Sequence, residues 1–319
     1  MGVMSDNTQS ILLSALLSAI IFLLILKAGL DFILMFLCVI PLLAAGLSKS
    51  PKIALQAGAL ATVPIAIITG SAGAMTMFYL LFALPSWYIC HMAMRYYDVR
   101  ISPTIPPIRL WYPIGLITMY LALYGVTLLS IVTALMATEE ENLPQSMLKP
   151  SEDVISFLGS NYDIQVALSA QSISFLVISS SIWMWCLLML FYTWFTNRSL
   201  ARRNMAKRPS ISLTVFSLPH WMLSLMGICI LAAGIGGESM SFLGKSSLLI
   251  LLIPYFFQGL AMLHYYMRNW SNKLIYLFIL YLIIILFVWP ILLVSGIGLW
   301  NHIKILNKHL SSGGTSSKS

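Results

Sequence analysis

Long apolar runs follow one another almost without pause along this chain, and they leave few solvents in which it can fold. The runs cover residues 11–26, 32–47, 53–68, 72–94, 110–137, 165–196, 212–234, 246–267 and 274–298. A helix crosses the ~30 Å hydrocarbon layer of a bilayer with about 20 apolar residues. Lipid satisfies no backbone N–H or C=O, so a spanning segment is a helix or a strand of a closed barrel, and these runs are too long for barrel strands. The expected fold class is therefore all-α, a polytopic transmembrane helix bundle of eight or nine spans, forming one integral membrane domain over residues 1–310. The first run is short for a crossing, and the sixth is long enough to tilt or project. Charged residues make up only 9% of the chain, against roughly 25% in soluble proteins. That excludes a coiled coil, a secreted disulfide scaffold and nearly every soluble enzyme fold.

The loops between the runs assign sides. Lys49 and Lys52, then Arg95, Arg100 and Arg109, then Arg198, Arg202, Arg203, Lys207 and Arg208, then Arg268 and Lys273 fall in alternate loops, so twelve basic residues share one face. The opposite loops hold Lys27, Lys149 and Lys245, together with Glu139, Glu140, Glu141, Glu152, Asp153, Asp163 and Glu238. Lys and Arg of short loops collect on the cytoplasmic side. The expected location is a cell membrane, crossed several times, with a cytoplasmic N-terminus. The same placement accounts for the net charge of +8 through anchoring at the bilayer, so no nucleic-acid partner is expected. Nine crossings would leave Lys304, Lys308 and Lys318 outside. A bend at Trp289-Pro290, or an interfacial helix over 299–310, would resolve that conflict. Met1 to Ser10 carries no basic segment and the first run is followed at once by another, so no cleavable signal is expected. Asp6 stands where myristoylation requires Ser or Thr. Pro103, Pro106 and Pro107 make the loop between Asp98 and Arg109 extended. Residues 138–164 form an acidic outer loop, and the Ser/Gly-rich residues 311–319 are expected to be a disordered tail.

Chemistry-bearing residues are sparse. Lys27 and Asp31 stand four apart and can pair, or simply anchor a turn at Gly29. His91, His220 and His264 fall near cytoplasmic helix ends, and His302 and His309 in the tail, with no spacing that makes a metal site. Cys38, Cys90, Cys186 and Cys229 are isolated within apolar runs, which argues for reduced thiols. Gly244-Lys245-Ser246 lacks the earlier glycine and the strand of a phosphate loop. Asn197-Arg198-Ser199 fits a glycosylation acceptor but lies in a cytoplasmic loop. No serine–histidine pair and no paired carboxylates stand in a span, so the chain reads as non-enzymatic, without metal or cofactor. Two places remain as binding candidates. Gln258 is the polar side chain nearest a bilayer midplane, between Pro254 and Gly259, and suits either a ligand or an interhelical hydrogen bond. Gln171, with Ser172, Ser174, Ser179, Ser180 and Ser181, makes the sixth run the most polar, and Trp183 and Trp185 lie deeper along it. Its serines can back-bond to the helix, or it can line an outward-facing pocket beside the acidic loop.

Four strings, Pro41-Leu-Leu-Ala-Ala-Gly-Leu-Ser48, Ala83-Leu-Pro-Ser-Trp87, Leu218-Pro-His-Trp221 and Phe257-Gln-Gly-Leu-Ala-Met-Leu-His264, occur in that order. On them the chain resembles the YybS-like bacterial integral membrane proteins, a family of unknown function, over nearly its whole length. Gly298-Leu-Trp-Asn301 departs from that family's Gly-Leu-x-Asp pattern. The family is remotely similar to the substrate-capturing S components of energy-coupling-factor transporters. The resemblance implies capture of a vitamin or metal ion from outside, and docking on a transmembrane coupling partner through Ala15 and Ala19. Small residues at that spacing also serve ordinary helix packing. Two functions are therefore open: solute binding and transport in the manner of an S component, with Gln171, Trp183 and Gln258 as binding residues, or a membrane scaffold or assembly factor for the cell envelope.

Overall fold

The computed structural model of the chain describes residues 6–100, 107–136, 153, 156, 170–208, 216–287 and 289–313. The helices are α1 (Asp6–Ala28), α2 (Phe32–Met35), α3 (Val39–Ser48), α4 (Pro51–Thr69), α5 (Ala72–Phe78), α6 (Leu84–Ala93), α7 (Ile114–Met136), α8 (Ala170–Arg202), α9 (Trp221–Ile235), α10 (Glu238–Tyr266), α11 (Lys273–Leu286) and α12 (Pro290–Gly313). Among the described residues, the exception to the all-helical pattern is an antiparallel hairpin, β1 (Tyr96–Val99) with β2 (Ile108–Trp111), which pairs Asp98 with Arg109. The proline-rich loop therefore joins two paired strands.

Among the described residues, six helices are long and apolar enough to cross a membrane, or up to seven when the bent pair 273–286 and 290–307 counts as one. The count of eight or nine is corrected at three runs. The segment Ile33–Ser48 is a shorter apolar helix than a crossing needs, and a 3₁₀ turn over Phe36–Cys38 interrupts its winding. In the seventh run, residues 212–215 lie outside the described residues and residues 216–219 are not helical, so the described helix Trp221–Ile235 is also short. The last run breaks before Pro290, which has no N–H to continue the preceding helix, and the chain turns there by 120°. Beyond the turn α12 runs unbroken to Gly313, so helix replaces both the separate interfacial segment at 299–310 and the first residues of the tail expected at 311–319. Apart from residues 153 and 156, the outer loop 138–164 lies outside the described residues, as do residues 314–319.

The chain divides into two compact units: Met1–Ile117 with Cys186–Ser212, and Thr118–Trp185 with Leu213–Ser319. In the first, α1 packs against α3 and α4, and Phe22, Phe36, Phe78 and Phe82 are fully buried. Phe22 meets Phe78 and Phe36 meets Phe82 edge to face, each at 5.2 Å between ring centres. Offset and edge-on rings match the charge distribution of the aromatic faces. A π-helical turn, Tyr79–Ala83, precedes Pro85. The wider winding absorbs the carbonyl that the proline leaves without its donor. A Cβ at Gly58 would stand 2.8 Å from the Ala83 Cβ, so α4 lies close against that turn.

The basic loops of this unit converge. Although Ile33–Ser48 is short, it returns the chain to the end where α1 began. There the Lys49 ammonium donates to the Asp6 carbonyl (2.8 Å), and Lys207 donates to the Lys49 carbonyl (2.6 Å). Arg208, 7% exposed, donates to the Ala93 carbonyl at 3.0 Å and to the Tyr112 carbonyl at 2.8 Å. Its fork thereby caps the C-terminal end of α6 and holds the foot of the hairpin. Burial pushes this guanidinium down from its ordinary pKa.

The second unit is built around α10, the most buried of the described membrane-length helices. The Trp183 indole N–H donates to the Leu249 carbonyl (2.8 Å) and the Ser179 hydroxyl to the Ser246 carbonyl (3.4 Å), tying this part of α8 to α10. Gly244 lies against the backbone of α9 at Cys229 and Ala233.

Candidate functional site

Two glycines decide how α10 meets α12. A Cβ on Gly259 would overlap the Val294 carbonyl, and one on Gly298 would overlap the Tyr255 carbonyl. Only glycine lets two backbones approach that closely. The two contacts also set an antiparallel register, with 259 against 294 and 255 against 298. Gln258 and Ser295 are then level, and His302 stands one turn beyond Gly298.

Polar groups collect on this seam. Tyr255 is fully buried, Gln258 is 3% exposed, Ser295 0% and His302 2%. The His302 Nδ1 and the Tyr255 hydroxyl are 3.2 Å apart, and the His220 ring stacks on His302 at 5.5 Å between centres. Ser295 donates to the Ile291 carbonyl of its own helix. Two atoms are left over: the Gln258 Oε1 and the His302 Nε2 are buried and find no hydrogen-bond partner among the described residues. Each such group costs about 1–3 kcal/mol relative to a satisfied one. A carbonyl oxygen and an imidazole nitrogen suit a neutral polar ligand, and the seam holds no charge to balance an ion.

The expected site residues are thus only partly brought together. Gln258 sits on the seam. Trp183 belongs to the same unit, but its N–H is taken by Leu249 and its ring packs on Phe256, in a cluster with Leu260 and Val294. It acts as a strut for α10. Gln171 lies in the first turn of α8, and its side chain is outside the described part of the structure. Ser180 and Ser181 back-bond to the Val177 carbonyl. Ala15 and Ala19, at 3% and 1% exposure, are buried within the first unit, and the outward face of α1 is made of Leu12, Leu13, Leu16, Leu17 and Leu24 instead. Asp31 precedes α2 without capping it by its side chain. His91 faces Arg95 at 3.0 Å, and His264 bonds the Leu260 carbonyl. All four cysteines are free and buried. No cluster able to hold a metal occurs among the described residues.

The model of the family described as "Predicted membrane protein (DUF2232)" matches residues 15–300. The chain belongs to this DUF2232 family. Comparison with curated proteins and with solved structures gives no match. The matched stretch of this DUF2232 member includes both glycines of the seam, together with Tyr255, Gln258 and Ser295, and stops short of His302. Sequence reasoning missed Tyr255, Ser295 and His302. The readable signal was the four-residue step from Gly298 to His302, which puts a contact glycine and a polar side chain on one helix face.

Proposed function

We propose that this DUF2232 protein is a non-enzymatic, multi-pass protein of the bacterial inner membrane that binds a small polar solute on the α10–α12 seam. The observation supporting this reading is the pair of unsatisfied buried atoms, Gln258 Oε1 and His302 Nε2, on helices locked together by glycines. Natural proteins leave few buried polar atoms unpaired, and those few call for an explanation. The YybS-like resemblance and its remote similarity to S components supply the class: capture of a solute, with energy from a separate transmembrane coupling partner. The convergence of basic loops in the first unit supports a cytoplasmic N-terminus.

The test is thermal stability of the purified protein against a panel of vitamins, divalent metal ions and nucleobases. A ligand present at a hundred times its Kd raises stability by about 2.7 kcal/mol. One of the organic classes should stabilise the wild type and fail on Gln258→Leu, and the metal ions should leave it unchanged. Silence across the whole panel would count decisively against solute binding. The alternative, a scaffold for envelope assembly, is supported by α11, which packs only Leu280 and Ile284 on the core cluster of Phe256, Leu260 and Val294 and fully buries none of its residues, so that most of its apolar surface is left for lateral contacts. Recovery of division or morphogenesis proteins, and no ATPase, in a pull-down favours that reading.

A further inference from the structure

At the basic end of the first unit, a cavity of about 500 Å³ opens between the start of α1, the α3–α4 turn and the segment after α8. We propose that this cavity is a binding site for a phosphate dianion, as carried by a phosphomonoester lipid headgroup or by inorganic phosphate. Three ammonium groups line it, Lys49, Lys52 and Lys207, with the amides of Asn7 and Gln56 beside them. Lys207 lies 158 positions from Lys49 in sequence and is fixed beside it by its bond to the Lys49 carbonyl. An ammonium has three donors, so Lys207 keeps two after that bond and Lys49 two after its bond to Asp6. Lys52 makes no hydrogen bond or ion pair among the described residues. Asp6 borders the site, but its carboxylate stands 4.0 Å from Lys49 and is 95% exposed, so solvent screens most of its charge.

The backbone adds to the field. Helix α4 runs for 19 residues from the cavity wall, with Ser50 at its N-cap and Pro51 in its first turn. The Ser50 side chain makes no cap bond, which leaves the positive end of the helix dipole facing the cavity. Ile11 and Ile53 complete the lining, so the phosphate position borders apolar surface at the ends of membrane-type helices. Phosphates of a leaflet and basic groups meet at that kind of boundary. The cavity lies entirely within the first unit, so this site stands or falls independently of the solute seam.

The test uses the full chain purified in a neutral detergent, read by native mass spectrometry and by thermal shift. Four probes are added separately: phosphatidic acid, phosphatidylglycerol, phosphatidylcholine and inorganic phosphate. Phosphatidic acid should bind the wild type most tightly, in a salt-sensitive way. The double variant Lys52→Gln/Lys207→Gln should bind it about twenty-five-fold more weakly, at roughly fivefold per ammonium removed. Lys245→Gln, in the other unit, serves as the charge control and should bind like the wild type. Lysine-dependent binding of inorganic phosphate with no lipid retained assigns the same site to a water-borne phosphate. Equal retention of phosphatidylcholine, unchanged binding by the double variant, or no binding of any probe overturns the proposal. The melting temperature of the double variant without probes confirms that it is folded.

Discussion

The basic end of the first unit and the polar seam of the second handle polarity in opposite ways. At the basic end the groups are charged, and the buried one, Arg208, has both arms of its fork on backbone carbonyls. On the seam the groups are uncharged amide, hydroxyl and imidazole side chains, more deeply buried, yet two of their atoms lack partners. A charge in a low-dielectric interior must be paired almost completely, whereas a neutral dipole can be left half-satisfied for a cost of about 1–3 kcal/mol. Charge therefore collects where the chain can hydrate it or cap helix ends with it, and the interior keeps only dipoles.

The contrast breaks first at the seam glycines. Gly259→Ala drives a methyl into the Val294 carbonyl, and backbone cannot swing aside as a side chain can. It should cost about 3 kcal/mol or more. Gly296→Ala, with open space around it, should be neutral or slightly stabilising. Detergent melting curves of the pair separate helix propensity from contact. At the basic end, Arg208→Ala removes two charge-assisted bonds and should cost about 2–3 kcal/mol. It should also expose the hairpin to limited proteolysis between Tyr96 and Trp111. Arg208→Lys should recover only part, because an ammonium lacks the planar fork.

Gln258→Leu sharpens the comparison with the opposite sign. It deletes an unpartnered acceptor, so it should stabilise the solute-free protein by about 1 kcal/mol while abolishing any solute response. A destabilised variant would mean that Gln258 is satisfied after all. Within the first unit, Ser18→Ala loses the hydroxyl bond to the Cys38 carbonyl, 2.6 Å long, and should cost about 1 kcal/mol. Asp6→Asn, at an exposed pair, should change the melting midpoint by less than about 0.5 kcal/mol.

Much of the fold was legible because its signals are local. The helices over 6–28, 51–69 and 72–93 match apolar runs read directly from the chain. Pro290 announced the bend in the last run, whereas the loop of Pro103 and Pro106, read as extended, lies outside the described residues. The span count failed where hydropathy persists but helix does not. Apolar character extends over all of 212–234, yet the described residues 216–219 are not helical, and the run at 32–47 is wound partly as 3₁₀. The site was harder to read. Gln258 stood out as a lone polar side chain in an apolar helix, but Trp183 looks the same on paper whether it faces a ligand or holds a neighbouring carbonyl.

Residue chemistry alone determined that this chain belongs in lipid, that its crossings are helical, and that its cations gather in alternate loops. Those outcomes depend on solvation free energies that each short segment carries with it. Tertiary structure alone decided that Ala15 and Ala19 face inward, that Lys49 and Lys207 share a rim, and that His302 reaches Tyr255. Those outcomes depend on which helix faces meet. The meeting is set by close contacts such as Gly259 on Val294, between residues that are distant in sequence.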